Sequence, residues 1–261
     1  MSINQNQIAE NLTLVRDRIA AAAARSSRPA GAVTLVAVSK TQPAEAVLAA
    51  WQAGQHVFGE NRVQEALEKM EHTPPEVQWH LVGNLQTNKA RKVAGKFAMV
   101  HSVDSIGLAR ELDKRQGALA GEGSPTPLEV LVQLNWTGEA TKSGIREQAA
   151  LAELMATLRD CTHLIPRGLM TIPNPDFDER QTRNHFAQIR ELLAATRTEM
   201  GLGAEFDQLS MGMTHDFEWA IEEGATIVRV GTAIFGQRRA LDHEQGQQGG
   251  QIQSPEQGAT P

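Results

Sequence analysis

The spacing of apolar positions along this chain changes period repeatedly. Ile8, Leu12, Val15, Ile19 and Ala22 recur three or four apart with Asn, Arg and Asp between them, which predicts an amphipathic helix laid against a larger body. From Val33 to Val38 the apolar and β-branched residues run together, the composition of a strand covered on both faces. The two patterns then alternate. Strand-like runs lie at 57–60, 77–83, 97–102, 128–134, 164–170, 206–210 and 226–230, and helical spacing fills about 43–54, 61–71, 146–159 and 177–200 between them. Further helices are predicted after the third strand, where Lys89, Arg91 and Lys92 cluster, and after the fourth, capped by Asp104 or Ser105. Another follows the seventh strand, capped by Thr214 and ending near Gly224. Pro43 suits the first turn of its helix and Gly54 the end of it. Pro166 belongs near the start of the sixth strand, and 117–127 reads as a surface loop.

Eight short strands alternating with helices imply a parallel sheet with right-handed crossovers. Eight such units predict a closed α/β barrel of the (β/α)8 (TIM) type, with one extra N-terminal helix, and 261 residues match the size of that fold. An open doubly wound sheet is the alternative, but no Gly-x-Gly-x-x-Gly follows the first strand. Residues 1–240 are expected to form this single domain. The tail, 241–261, is rich in Gln and Gly, carries Ile252 as its only large apolar residue from Asp242 onward, and is expected to be disordered.

In such barrels ligands meet the C-terminal ends of the strands. Those ends carry Lys40, Glu60-Asn61, His80 to Asn84, His101, Asn135, Met170-Thr171, Ser210-Met211-Gly212-Met213-Thr214 and Arg229-Val230-Gly231-Thr232. Lys40 closes an otherwise apolar strand, where desolvation is costly unless something neutralises the amine. A Schiff base to an aldehyde is one such means; snorkelling or a carboxylate partner is another. The seventh and eighth strands end in Gly-containing loops with the Ser210 and Thr232 hydroxyls. Loops at those two strand ends recurrently hold a phosphate, because glycine lets backbone N–H groups approach an anion; ordinary helix-starting turns would look similar. Arg229 lies inside the apolar strand Ile227-Val228-Arg229-Val230 and needs a fixed acceptor, either a carboxylate such as Glu60 or the ring nitrogen of a ligand. A lysine, a phosphate cradle and an interior arginine together describe a site for pyridoxal 5′-phosphate.

Composition narrows the picture further. A formal charge of −6 argues against a general nucleic-acid surface, and no stretch is long and apolar enough to span a bilayer. The single cysteine, Cys161, cannot form an intrachain disulfide and fits a reducing compartment. The first residues lack a basic region followed by an apolar one, so a cytoplasmic protein is expected. No histidines fall at metal-ligand spacing with a nearby acid.

Several segments in order resemble one family. They are Val36-Ala37-Val38-Ser39-Lys40-Thr41, Phe58-Gly59-Glu60-Asn61, Trp79 to Lys89, Lys142-Ser143-Gly144, Gly168-Leu169-Met170, Ser210-Met211-Gly212-Met213 and Arg229 to Gly236. The combination, running from about residue 8 to 238, is similar to that of the pyridoxal phosphate homeostasis proteins (the YggS/PROSC family). The resemblance implies the barrel of fold-type III pyridoxal phosphate proteins, related to the N-terminal domain of alanine racemase. It implies Lys40 as the Schiff-base lysine, Ser210, Gly212, Gly231 and Thr232 around the phosphate, and Arg229 at the ring nitrogen. Asn61, His80, Met170 and Met211 complete the expected cofactor-binding set. The implied role is cofactor homeostasis without established turnover, with apo-enzymes as candidate recipients and a monomer expected. Two residues depart from the family pattern: Arg62 stands where Tyr is expected, and His215 where a small residue is expected beside the phosphate loop.

The main alternative is an amino-acid racemase. That chemistry needs a second acid–base group opposite the lysine. In the related alanine racemases that group is a tyrosine from a C-terminal domain of the partner, and this sequence contains no tyrosine. His80 or His101 could substitute, Cys161 less readily, although hydrogen-bonded structural histidines are the simpler reading. A cation at the ring nitrogen should also weaken the cofactor as an electron sink. A lysine-dependent aldolase with a phosphorylated substrate would use the same lysine and loops. Lys142, just past the fifth strand, is a candidate docking or transfer lysine or a solvated loop residue. The Lys89-Arg91-Lys92 cluster could face an acidic partner or simply water.

Overall fold

The computed structural model describes residues 4–29, 31–119, 126–137 and 143–236. The strands are β1 (Thr34–Val38), β2 (Val57–Glu60), β3 (Gln78–Leu81), β4 (Met99–Val103), β5 (Leu128–Leu134), β6 (Leu164–Thr171), β7 (Gln208–Ser210) and β8 (Ile227–Val230). Every neighbouring pair is parallel, and β8 returns to β1 to close the barrel. The helices are α1 (Gln5–Arg25), α2 (Ala44–Gln52), α3 (Val63–Met70), α4 (Ile106–Gly117), α5 (Gln148–Asp160), α6 (Glu179–Glu199), α7 (Phe217–Glu222) and α8 (Thr232–Phe235). Among the described residues no helix is long and apolar enough to cross a membrane. The predicted tail, 241–261, and Lys142 lie outside the described residues.

Side chains alternate in and out along each strand, so the barrel has two cores. The larger packs the outer face against the helices, with Phe58, Leu81, Val130, Leu169 and Val228 facing Leu12, Val47, Leu154 and Phe186. The smaller fills the interior with Val36, Val82, Met99, Leu131, Met170 and Ile227. Gly59 makes that interior close. A Cβ there would lie 2.8 Å from Val36 Cγ1 and 3.3 Å from Val38 Cγ2, tighter than methyl contacts allow. Gly59→Ala should therefore overpack the interior and cost about 1–3 kcal/mol, read as a lower denaturation midpoint with an unchanged m-value.

Local chemistry corrects several expected boundaries. The segment after β3 is a 3-10 helix, Thr87–Lys92, and not an α-helix. Ser105, not Asp104, caps α4 by accepting the Leu108 N–H over 3.3 Å. Pro43 is the N-cap of α2 rather than a residue of its first turn, and Gly54, at φ +81°, lies just past the C-cap Ala53. Thr214 does not cap α7; Asp216 occupies that position. Gly117 ends α4 rather than opening the loop, and 120–125 lie outside the described residues. Pro166 sits at the third residue of β6, tolerated because the register slips by one at Arg167: Val130 pairs with Pro166 but Leu131 with Gly168.

Candidate functional site

Lys40 stands on a turn held from behind. β1 ends at Val38, and Ser39 N–H still donates to Gly59 O over 3.0 Å. Thr41 takes a left-handed φ of +64°, strained for a β-branched residue. Around this turn lies a buried ionic cluster. Ser39 Oγ donates to Glu60 Oε1 over 2.6 Å. Lys69 Nζ, from α3, donates to Glu60 Oε1 over 2.5 Å, to Ser39 O over 2.7 Å and to Glu65 Oε1 over 3.1 Å. The Thr41 N–H donates to the same Glu65 oxygen. Ser39 therefore faces the helices. By the alternation of Val36, Val38 and Lys40, the half-buried Lys40 is turned toward the barrel mouth. Burial pushes the Glu60 carboxyl above its ordinary range, with the Lys69 ammonium opposing the shift. Glu60 is thus the partner of Lys69 and not of Arg229, a correction to one of the sequence alternatives. Lys69 was not among the candidates. Its signal was its spacing, four residues past Glu65 on an amphipathic helix.

Inside the barrel a chain of hydrogen bonds links five strands. His80 Nδ1 lies 2.9 Å from His101 Nε2, and His101 Nδ1 lies 2.8 Å from Ser210 Oγ. Arg229 Nη1 donates to Ser210 Oγ over 2.6 Å and Arg229 Nη2 to Thr171 O over 2.9 Å. Burial pushes the His80 pKa down to about 4 and that of His101 well below its ordinary value, so both are neutral at physiological pH. Burial also pushes Arg229 down to about 10, and it stays a cation. The two bonds use two of its five N–H donors.

The β7 and β8 loops meet beside this chain. The Arg229 N–H donates to Gly212 O over 3.0 Å, and the Met213 N–H donates to Asp216 Oδ1 over 2.6 Å. Asp216, absent from the sequence candidates, fixes the β7 loop; burial raises its carboxyl and the Arg229 charge opposes that. Gly212 has φ +93°, and a Cβ there would sit 2.6 Å from Ala220 Cβ. A Cβ on Gly231 would sit 2.9 Å from Val38 O. The fold itself requires both glycines, independently of any anion. Gly231 is the N-cap of α8 and Thr232 its first residue.

The opposite side of the mouth opens into a cavity of about 220 Å3 lined by Asn61, Asn84, Gln133, Asn135 and Ser143 with Val82, Leu134 and Ile172. Of the strand-end candidates, Asn61, the stretch Val82 to Asn84 and Asn135 line it, and of the expected cofactor-binding set Asn61 alone does. Met170 belongs to the apolar interior, and the Met211 side chain to the outer core. His80 is engaged with His101. Among the described residues no group of His, Cys, Asp and Glu could hold a metal ion.

Residues 3–239 match the family described as "Alanine racemase, N-terminal domain". The chain is 43% identical to the pyridoxal phosphate homeostasis protein of Escherichia coli K12 over 238 residues, covering 89% of this chain and 97% of that one. It is 45% identical to the protein of the same name from Pseudomonas aeruginosa PAO1 over 232 residues, covering 88% and 96%. The crystal structure of PipY from Synechococcus elongatus PCC7942 with PLP bound superimposes with a TM-score of 0.74 at 38% identity, covering 88% of this chain and all of that one.

Proposed function

This chain belongs to the pyridoxal phosphate homeostasis proteins, within the family of alanine racemase N-terminal domains, and from that premise we propose that it binds pyridoxal 5′-phosphate through a Schiff base to Lys40 and serves the homeostasis of that cofactor without turnover of its own. The observation that carries the reading is the mouth itself. A half-buried lysine on a braced turn shares one barrel end with a buried, charged arginine tied to the Ser210 hydroxyl and to the Gly212 loop. The donors suit the group: an amine for the aldehyde, hydroxyl and loop donors for a phosphate, and a fixed cation for a pyridine nitrogen. When bound, the cofactor supplies a reactive aldehyde and an electron-withdrawing ring.

Each residue then has a role. Lys40 would hold the aldehyde carbon through its amine. Ser210, Gly212, Gly231 and Thr232 would take the phosphate arm, and Arg229 would serve the ring nitrogen. Asn61 would act from the amide-lined cavity, His80 through its bond to His101, Met170 from the apolar interior and Met211 through its anchorage in the outer core. Two features favour holding over racemisation. The named residues of that cavity carry no charge to anchor an amino-acid carboxylate. The histidines that might replace the missing tyrosine are buried and committed to each other and to Ser210.

The purified full chain mixed with pyridoxal 5′-phosphate should develop a visible absorption band that saturates at one cofactor per chain. It should then restore activity to an apo-enzyme that needs the cofactor, while leaving L-alanine and other amino acids unracemised. A colourless mixture would overturn the binding assignment, and racemisation at an enzymatic rate would overturn the non-catalytic one.

A further inference from the structure

The Ser210 hydroxyl fixes where protons sit across the barrel interior. Arg229 Nη1 can only donate to it. The neutral His80 and His101 each carry one ring proton, so each of the two contacts His80–His101 and His101–Ser210 must hold one hydrogen. Two orderings satisfy both contacts. In the first, Ser210 O–H donates to His101 Nδ1, His101 Nε2–H donates to His80 Nδ1, and His80 keeps its proton on Nε2. In the second, His80 Nδ1–H donates to His101 Nε2 and His101 Nδ1–H donates to Ser210 Oγ. Ser210 then accepts two bonds, and its own proton is left for another acceptor.

The free protein selects the first ordering. Ser210 is fully buried, and among the described residues its hydroxyl contacts only Arg229 and His101. A buried O–H with no acceptor is costly, and only His101 Nδ1 can accept it. A phosphate oxygen at the β7 loop changes the choice, because a charged acceptor makes a stronger bond than a neutral imidazole.

We infer that His101 and His80 are positioning residues for an anion-binding Ser210, and that seating a phosphate reverses the hydrogen-bond direction through both imidazoles. This rests on the reading that places the phosphate arm at Ser210. The proton balance closes. His80 Nε2 gives one proton to water, His101 passes one to His80 Nδ1, Ser210 passes one to His101 Nδ1, and Ser210 takes one from the phosphate, which enters as the monoanion. The interior side chains keep their net charge, and the number of protons released at His80 equals the number the phosphate brings in. In the loaded state Ser210 is polarised by two donors at once, which strengthens its grip on the anion. His80 Nε2 is thereby converted from a donor into an acceptor.

The test is 15N NMR of the histidine-labelled full chain, reading through two-bond 15N–1H couplings which ring nitrogen of each histidine bears the proton. His80→Gln and His101→Gln spectra assign the two rings. In the free protein both should be protonated on Nε2. Saturation with pyridoxal 5′-phosphate, or with inorganic phosphate alone, should move both protons to Nδ1, and in Ser210→Ala neither ligand should do so. Absorbance in the same samples separates the outcomes. A coloured, saturated protein with unchanged tautomers would overturn this inference and leave the proposed function standing. Reversal by inorganic phosphate with no colour from the cofactor would support the anion switch and overturn the cofactor reading. Nδ1 protonation already present in the free protein would overturn the switch.

Discussion

Lys40→Ala is expected to abolish covalent capture of pyridoxal 5′-phosphate completely while leaving the barrel folded. Borohydride reduction of the loaded wild type, followed by peptide mapping, should place the label on the peptide carrying Lys40; the variant should show no label and no visible band. The size of the effect follows from chemistry, since alanine offers no amine to the aldehyde. Survival of the fold follows from how the turn is built. Its geometry is set by the Ser39 N–H on Gly59 O, the Lys69 ammonium on Ser39 O and the Thr41 N–H on Glu65, all independent of the Lys40 side chain. Stability should stay within about 1 kcal/mol of wild type. Residual non-covalent binding should persist, because Ser210, Arg229 and the two glycine loops remain. A label on another lysine, or a retained visible band, would sink the assignment.

What the sequence reveals of this molecule depends on whether a feature is local. The alternation of buried strands and amphipathic helices is local, and it suffices for a closed barrel with its N-terminal helix, as found. The strand ends are local too, and they assign Lys40, Ser210 and Arg229 to one mouth. Partnerships across the barrel are not local. The sequence offers Arg229 either Glu60 or a ligand as its partner, because nothing in the spacing shows Ser210 and Thr171 lying opposite it. Lys69 reads as a solvated helix residue until α3 is docked behind β1 and β2, where its ammonium meets Glu60 and Ser39 O. In the sequence the glycines of the β7 and β8 loops read as room for an anion. Packing against Ala220 and Val38 gives them a second reason that only three dimensions expose. Caps missed by one or two residues, as at Thr214 and Asp216, reflect how little local preference separates neighbouring polar residues at a helix start.

Lys69→Met should produce the largest loss of stability, about 3–5 kcal/mol, and the loss should depend on pH in a specified direction. The side chains of Lys69 and Glu60 are 6% and 0% exposed, so methionine keeps most of the packing but leaves the Glu60 carboxylate buried without its counter-ion. Burial already raises the Glu60 pKa, and removing the opposing ammonium raises it further. Between the ordinary glutamate value and that raised value the folded chain holds a proton that the unfolded chain has released. Stability therefore falls as pH rises through this window. The deficit should be smallest at the acid end of this window, near the ordinary glutamate value, and greatest at pH values above the raised one, measured as urea midpoints of variant and wild type across the range. Adding Glu60→Gln to Lys69→Met should recover more than half of the loss and flatten its pH dependence, because a neutral amide can still accept from Ser39 Oγ. The same substitution loosens the turn that presents Lys40, so the visible band should form more slowly in Lys69→Met even where the protein remains folded. A deficit equal at all pH values, unmoved by Glu60→Gln, would mean that the stem of Lys69 matters for its packing and that its charge does not brace the turn.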